Sequence, residues 1–114
     1  MENLLEKSCQ PLAKGTPPLS SDDINRLLKQ LHADWQFHAD PPELQRTCKF
    51  KNYYQTIAFV NALAWIAHQD DHHPELEVSY NRCVIHYSTH SIGGISENDF
   101  ICAAKIDALV KDNA

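Results

Sequence analysis

The strongest constraint on the fold is one long helical stretch that lies between two pairs of short alternating segments. From Asn52 to about Asp70, apolar residues recur at helical spacing on one face, namely Phe59, Ala62, Leu63 and Ile66. Pro74 sets the limit of this helix, because the residue before a proline is biased away from helical dihedrals. The sequence therefore predicts a long helix that stops shortly before Pro74.

Apolar and polar residues alternate on both sides of this helix, which is typical of half-buried strands. The alternating segments cover residues 35–37, 44–50, 74–80 and 82–88. Residues 40–43 (Asp-Pro-Pro-Glu) cannot continue a helix or a strand and predict the turn of a first hairpin. Asn81 and Arg82 predict the turn of a second hairpin.

Apolar residues also recur at helical spacing near both ends of the chain. We predict a short helix over residues 21–32 and a final helix that Ser96 caps. The order helix, two strands, helix, two strands, helix predicts an α+β domain, with a four-stranded antiparallel sheet and three helices on one face. Residues 1–19 are expected to form an extended lead-in that packs loosely, and residues 20–112 a single domain.

Composition and charge exclude several classes of protein. The net charge is -5 and there is no run of lysine and arginine, which argues against a nucleic-acid surface. No apolar stretch approaches the length of a membrane span, and the N-terminus carries no export signal. The four cysteines are widely spaced without a C-x-x-C pair, which argues against a zinc ribbon or a redox motif. We therefore expect a reducing, cytoplasmic setting.

Histidines are concentrated in one part of the chain. Five of the seven lie between His68 and His90, and imidazole can give or take a proton near neutral pH. His72 and His73 lie just beyond the long helix, and His90 follows the last strand. Because the strands of the second hairpin are antiparallel, their ends away from the turn coincide. We therefore expect His72, His73 and His90 to converge.

Three interpretations compete for this cluster. Acid–base catalysis or substrate binding is favoured. A metal site comes second, because His68 and His72 are four residues apart, but a helix that ends near Asp71 would misalign the second ligand. The third interpretation is a set of caps and satisfied surface groups, which is what we expect for His32, His38 and His86.

Asp99 has two compatible interpretations. Together with Ser96 it resembles a capping box, in which a carboxylate in the third helical position accepts from the backbone of the cap residue. Alternatively, its carboxylate holds a histidine in the required tautomer. Both are possible at once, because the final helix follows directly from the loop that carries His90.

These residues resemble the signature of the pterin-4a-carbinolamine dehydratases, the family that includes the dimerisation cofactor of a hepatocyte transcription factor. The likeness extends from about Leu19 to Leu109, and the matching positions are His68, His72-His73-Pro74, Tyr80, His90 and Asp99. One position departs from the pattern, because His68 stands where many members have a glutamate.

The resemblance implies dehydration of 4a-hydroxytetrahydropterin to quinonoid dihydropterin and water, without a metal or another cofactor. It implies that the catalytic residues are His72, His73 and His90. Of these, we expect His72 and His90 to transfer protons and His73 mainly to contact the substrate. The implied substrate-binding residues are Asp71, His72, His73, Ser88, Thr89 and His90. The implied orienting or structural residues are His68, Pro74 and Asp99.

The resemblance also implies partners. We expect a homodimer or homotetramer that binds a pterin and serves a pterin-dependent aromatic amino acid hydroxylase, without direct contact to nucleic acid or membrane. The alternative is a non-catalytic binding module, either a transcription-factor dimerisation cofactor or an enzyme assembly factor. The sequence leaves open the choice between dimer and tetramer, the pterin side chain and the division of acid and base roles.

Overall fold

The helices and strands follow one another in the predicted order. The computed structural model describes residues 3–110. It contains α1 (Ser21–Leu28), β1 (Gln36–Ala39), β2 (Pro42–Lys49), α2 (Tyr53–Asp70), β3 (Glu75–Ser79), β4 (Arg82–Tyr87) and α3 (Glu97–Val110), with short 3-10 helices at Leu4–Glu6 and His90–Ile92. The predicted α+β class is confirmed. Within residues 3–110, no helix is both long enough and apolar enough to cross a membrane.

Within residues 3–110 the strands form one four-stranded sheet, in which all neighbouring strands are antiparallel and the order is β1-β2-β4-β3. In the second hairpin, Glu75 pairs with His86 and Ser79 pairs with Arg82. The start of β3 and the end of β4 therefore lie side by side at one edge of the sheet. This is the arrangement that the alternating pattern predicted for the two hairpin ends.

The core lies between the helices and one face of the sheet. Because successive strand residues point to opposite faces, every second residue of the central strands faces the helices. On β2 and β4 these buried apolar residues are Leu44, Cys48, Cys83, Ile85 and Tyr87, and the helices contribute Leu27, Phe59, Leu63, Phe100 and Ile106. Full burial of one such large side chain contributes roughly 1.5–3 kcal/mol relative to exposure.

The first helix is shorter than predicted. It ends at Leu28, and the chain then continues in tighter turns, in which the Gln30 amide donates to the Leu27 carbonyl at 3.0 Å and the Leu31 amide donates to the Leu28 carbonyl at 3.1 Å. Leu31 is still buried against the core. The apolar pattern therefore continues beyond the end of the helix, and for this reason the sequence overestimates the length of the helix.

The N-terminal lead-in packs against the domain, so the expectation of loose packing is wrong. Leu4 is 1% exposed and belongs to the core cluster. The amide of Cys9 donates to Asp70 Oδ1 at 2.9 Å, and the amide of Leu19 donates to the Ile95 carbonyl at 2.9 Å. Residues 1 and 2 of the predicted lead-in and residues 111 and 112 of the predicted domain lie outside the described residues.

Neighbouring leucines in the lead-in provide a test of this packing. Replacement Leu4→Ala removes a buried side chain and should lower the free energy of unfolding by about 2–5 kcal/mol. Replacement Leu5→Ala removes a side chain that is 50% exposed, and it should change that free energy by less than about 0.5 kcal/mol. Urea unfolding of both variants measures the difference, and equal effects would show that the lead-in does not pack as described.

Candidate active site

The end of α2 fixes the backbone that carries His72. Asp71 adopts a left-handed conformation, with φ 50° and ψ 43°, which aspartate tolerates better than most residues. The Asp71 amide donates to the His68 carbonyl at 3.3 Å, and the His72 amide donates to the Ala67 carbonyl at 3.1 Å. This pair of bonds is a Schellman motif. The motif reverses the chain direction and holds His72 immediately beyond the helix, as predicted.

A buried carboxylate joins three parts of the chain beside His72. The side chain of Asp99 is 0% exposed. Its Oδ1 lies 2.5 Å from Nε2 of His72, while its Oδ2 accepts from the Thr89 hydroxyl at 2.8 Å and from the Ser96 amide at 2.9 Å. The structure therefore contains the capping-box contact and the histidine contact together. The Ser96 hydroxyl itself faces the Thr89 hydroxyl at 2.7 Å.

Most of the His72 side chain is buried within the protein. Its side chain is 15% exposed, and its ring stacks on Tyr87 with ring centroids 5.3 Å apart. Burial alone lowers the pKa of His72, but the hydrogen bond to Asp99 and the negative charge of that carboxylate outweigh it, so the pKa lies above the ordinary 6.5. The carboxylate therefore favours the imidazolium form of His72 at neutral pH.

The residues predicted to contact a substrate line one cavity of about 640 Å³, a volume in the range of small-molecule sites. The cavity lining includes Asp71, His72, His73, Ser88, Thr89 and His90. His73 and His90 are exposed, in contrast to His72. The structure thus brings the three histidines together at the predicted end of the second hairpin. Their chemical roles remain predictions.

One of the predicted residues lies outside this cavity, and two others make contacts within the protein. The ring of His68 packs beside Trp65, with centroids 5.8 Å apart, and does not line this cavity. The carbonyl of Pro74 lies 3.4 Å from Nδ1 of His73. The hydroxyl of Thr89 donates to Asp99, and its amide donates to the Gly94 carbonyl at 2.9 Å. Asp99 therefore makes the contact that orients His72, and Thr89 supports that contact.

Sequence reasoning missed one group of polar residues in the cavity lining. His86 is hydrogen-bonded as expected for a satisfied histidine, but it also lines the cavity together with Glu43 and Glu75. Its Nδ1 lies 2.9 Å from Glu43, and its Nε2 contacts Glu77. Burial lowers the pKa of His86, but the bonds to these two glutamates outweigh it and raise the pKa above 6.5. The alternation of strand residues could have predicted that His86 lines the cavity, because His86 lies two residues before Ser88 and therefore shares its face of the sheet.

The metal interpretation finds no supporting geometry in residues 3–110. In that part of the chain, no three histidine, cysteine, aspartate or glutamate side chains are arranged to hold a metal ion. The cluster around Asp99 is instead a set of hydrogen bonds among one histidine, two hydroxyls and one amide. This arrangement can hold a protonated imidazole at the wall of the cavity.

Comparisons with known proteins identify similar chains over nearly the whole length. The family model described as pterin 4 alpha carbinolamine dehydratase matches residues 17–109. A protein of Nitrosomonas eutropha, whose name assigns it provisionally to these dehydratases, is 56% identical over 108 residues, which cover 95% of this chain and 94% of the relative. A relative from Nitrosomonas europaea with the same name is 54% identical, with 96% of this chain and 95% of the relative covered.

Two solved structures share the fold. A transcriptional coactivator/pterin dehydratase from Brucella melitensis has a TM-score of 0.76 and 33% identity, and the match covers 81% of this chain and 97% of that one. A pterin dehydratase-like protein identified as a RuBisCO assembly factor in the α-carboxysome has a TM-score of 0.60 and 29% identity, with 68% and 90% covered. The names of these two proteins therefore include roles other than dehydration.

The Asp99 contact predicts a specific titration behaviour. Since the folded-state pKa of His72 is raised above 6.5, the stability that this pair contributes is complete below pH 6.5 and is lost as the pH rises through the folded-state pKa. Replacement Asp99→Asn should lower the pKa of His72, as measured by NMR titration of the imidazole nitrogens.

A matched control is Glu43→Gln, which should lower the pKa of His86 and leave that of His72 unchanged, because Glu43 contacts only the former ring. Dispersed amide spectra at each pH establish that both variants are folded. An unchanged His72 titration in the Asp99→Asn protein would contradict the assigned contact.

Proposed function

The chain belongs to the pterin-4a-carbinolamine dehydratase family, and we propose that it dehydrates 4a-hydroxytetrahydropterin to quinonoid dihydropterin and water. The family assignment rests on the match over residues 17–109 and on relatives that are more than half identical. The observation that carries the proposal for this chain is the cavity, whose lining includes His72, His73 and His90.

The reaction needs both an acid and a base. Hydroxide is a poor leaving group, so a general acid must protonate the 4a-hydroxyl while a base takes a proton from a ring nitrogen. We assign the acid role to His72, because Asp99 raises its pKa and favours its protonated form. Nε2 of His72 is occupied by Asp99, so the proton given to the substrate is assigned to Nδ1. His90 is assigned the base role.

The remaining lining residues are assigned to substrate binding. His73 and Ser88 lie on the same cavity lining and offer a ring nitrogen and a hydroxyl to the flat heterocycle. Asp71 contributes a carboxylate that can accept hydrogen bonds from amino and ring N–H groups. Elimination of water changes no oxidation state, so the proposed reaction needs no redox cofactor. We also propose that the dehydration needs no metal ion.

The wider setting follows from the family. We propose that the chain acts in the cytoplasm as a homodimer or homotetramer and regenerates the pterin of an aromatic amino acid hydroxylase. The four cysteines are all free, which is in keeping with a reducing compartment. Light scattering of the purified protein distinguishes the two oligomers by mass.

A binding module of the same fold is the second candidate. The names of the two solved structures favour it, because one includes a coactivator and the other a RuBisCO assembly factor. Helix α2 also exposes large aromatic side chains that a partner could cover, namely Tyr53, Tyr54 and Trp65. A stoichiometric protein partner recovered from the native cell, together with no dehydratase activity of the purified chain, would favour this candidate over the enzyme.

Single histidine replacements test the proposed enzyme. The variants His72→Ala and His90→Ala should each lower the rate of carbinolamine dehydration by about 10²–10⁴-fold, the contribution typical of one acid or base. Stopped-flow absorbance of freshly generated carbinolamine measures the rate above the uncatalysed background.

The matched control is His38→Ala, which removes an exposed histidine on β1 that is outside the cavity lining. This variant should keep the wild-type rate. If the His72 and His90 variants are folded by circular dichroism and also keep that rate, the assigned roles are wrong.

A further inference from the structure

Two cysteines that are far apart in sequence meet beside the candidate active site. The sulfur atoms of Cys9 and Cys102 lie 3.4 Å apart, across a sequence separation of 93 residues. Sequence spacing argued against a redox motif because no C-x-x-C pair is present. Folding of the lead-in against α3 places the two thiols in direct contact and so changes that interpretation.

Hydrogen bonds on either side of Cys9 hold this contact. The Cys9 amide donates to Asp70 Oδ1 at 2.9 Å, and Asp70 Oδ2 accepts from the Lys105 ammonium at 2.8 Å. The Gln10 amide donates to the Asn98 side-chain oxygen at 3.1 Å, and the Asn98 side-chain amide donates to the Gln10 carbonyl at 2.8 Å. The lead-in is therefore fixed to the end of α2 and to the start of α3.

The two thiols differ in their access to solvent. Cys9 is half-buried and lines a small cavity of about 220 Å³ whose walls include Asp71, His72 and Thr89. Cys102 is 0% exposed, and its sulfur lies 3.8 Å from the His72 carbonyl. A small reagent can therefore reach Cys9 first. Cys102 is buried next to it and is the second thiol of the pair.

We propose that Cys9 and Cys102 form a redox-active dithiol that a hydroperoxide converts into an intramolecular disulfide. The Cys9 sulfur attacks one peroxide oxygen, the O–O bond breaks, and the products are a sulfenic acid on Cys9 and an alcohol or water. The Cys102 sulfur then attacks the Cys9 sulfur and displaces hydroxide, which leaves as water with the remaining proton. The two thiols lose two electrons in total, and the peroxide gains them.

The electrostatics of the pair show which sulfur carries thiolate character before oxidation. The pKa of Cys102 is lowered, chiefly because the Cys9 thiol can donate a hydrogen bond to the Cys102 thiolate, with further help from Tyr87 and from the charge of His72. The same hydrogen bond raises the pKa of Cys9. In the reduced pair the thiolate character therefore lies on Cys102, and the first step includes transfer of the Cys9 proton to Cys102 across the 3.4 Å contact, which makes the accessible Cys9 sulfur the nucleophile.

The other two cysteines provide an internal comparison. Cys48 and Cys83 are directly opposite in the β2–β4 ladder, and both are buried in the core. Burial raises the pKa of both thiols, that of Cys83 to about 11, so neither sulfur of this pair has the thiolate character that Cys102 has in the other pair. Oxidation should therefore select the Cys9 and Cys102 pair although both pairs are neighbours in the fold.

Peptide mapping after oxidation tests the proposal without using the dehydratase reaction. The full-length protein is treated with hydrogen peroxide, the remaining thiols are alkylated, and a non-reducing digest is analysed by mass spectrometry. We expect a Cys9–Cys102 link with Cys48 and Cys83 alkylated. We also expect the melting temperature to rise by more than about 5 °C, because the cross-link restricts the unfolded chain, and dithiothreitol to reverse the rise.

Two variants complete the test. Replacement Cys9→Ser should abolish both the link and the rise in melting temperature, whereas Cys48→Ala should retain both. The proposal is overturned if peroxide leaves Cys9 and Cys102 reduced in the wild-type protein, if it stops at singly oxidised Cys9, or if it links Cys48 to Cys83 or one chain to another.

Discussion

The candidate site depends on one buried negative charge, the carboxylate of Asp99. A buried carboxylate is costly unless hydrogen-bond donors surround it, and here the donors come from three separate segments. His72 follows α2, Thr89 follows β4, and Ser96 precedes α3. The charge can therefore be accommodated only when these three segments are assembled, and two of the donor residues, His72 and Thr89, also line the cavity.

The Asp99 carboxylate also makes the surroundings of His72 different from those of His73 and His90. His72 is stacked on Tyr87 and contacts Asp99, so its protonation is governed by the protein interior. His73 and His90 are exposed on the same cavity lining. A histidine whose pKa is raised above 6.5, beside two exposed histidines, supplies the ring nitrogens that the proposed elimination of water needs as proton donor and proton acceptor.

Local periodicity predicted the elements and their order, because each helix and strand buries one face. Pro74 and the antiparallel second hairpin then predicted the end of the sheet at which His72 and His90 line one cavity. The remainder depends on contacts between distant residues, which no local pattern records. Leu4 is an isolated buried residue that belongs to no long apolar pattern. The sulfur of Cys9 contacts the sulfur of Cys102 although the two residues are 93 positions apart in the sequence.

The pH dependence of dehydration tests the central proposal, that Asp99 raises the pKa of His72 so that this residue can act as the acid. In the wild-type enzyme, kcat/KM should fall on the alkaline side as the pH rises through the His72 pKa, which lies above 6.5. In the Asp99→Asn enzyme this alkaline limb should move to lower pH. An alkaline limb at the same pH in both enzymes would contradict the account.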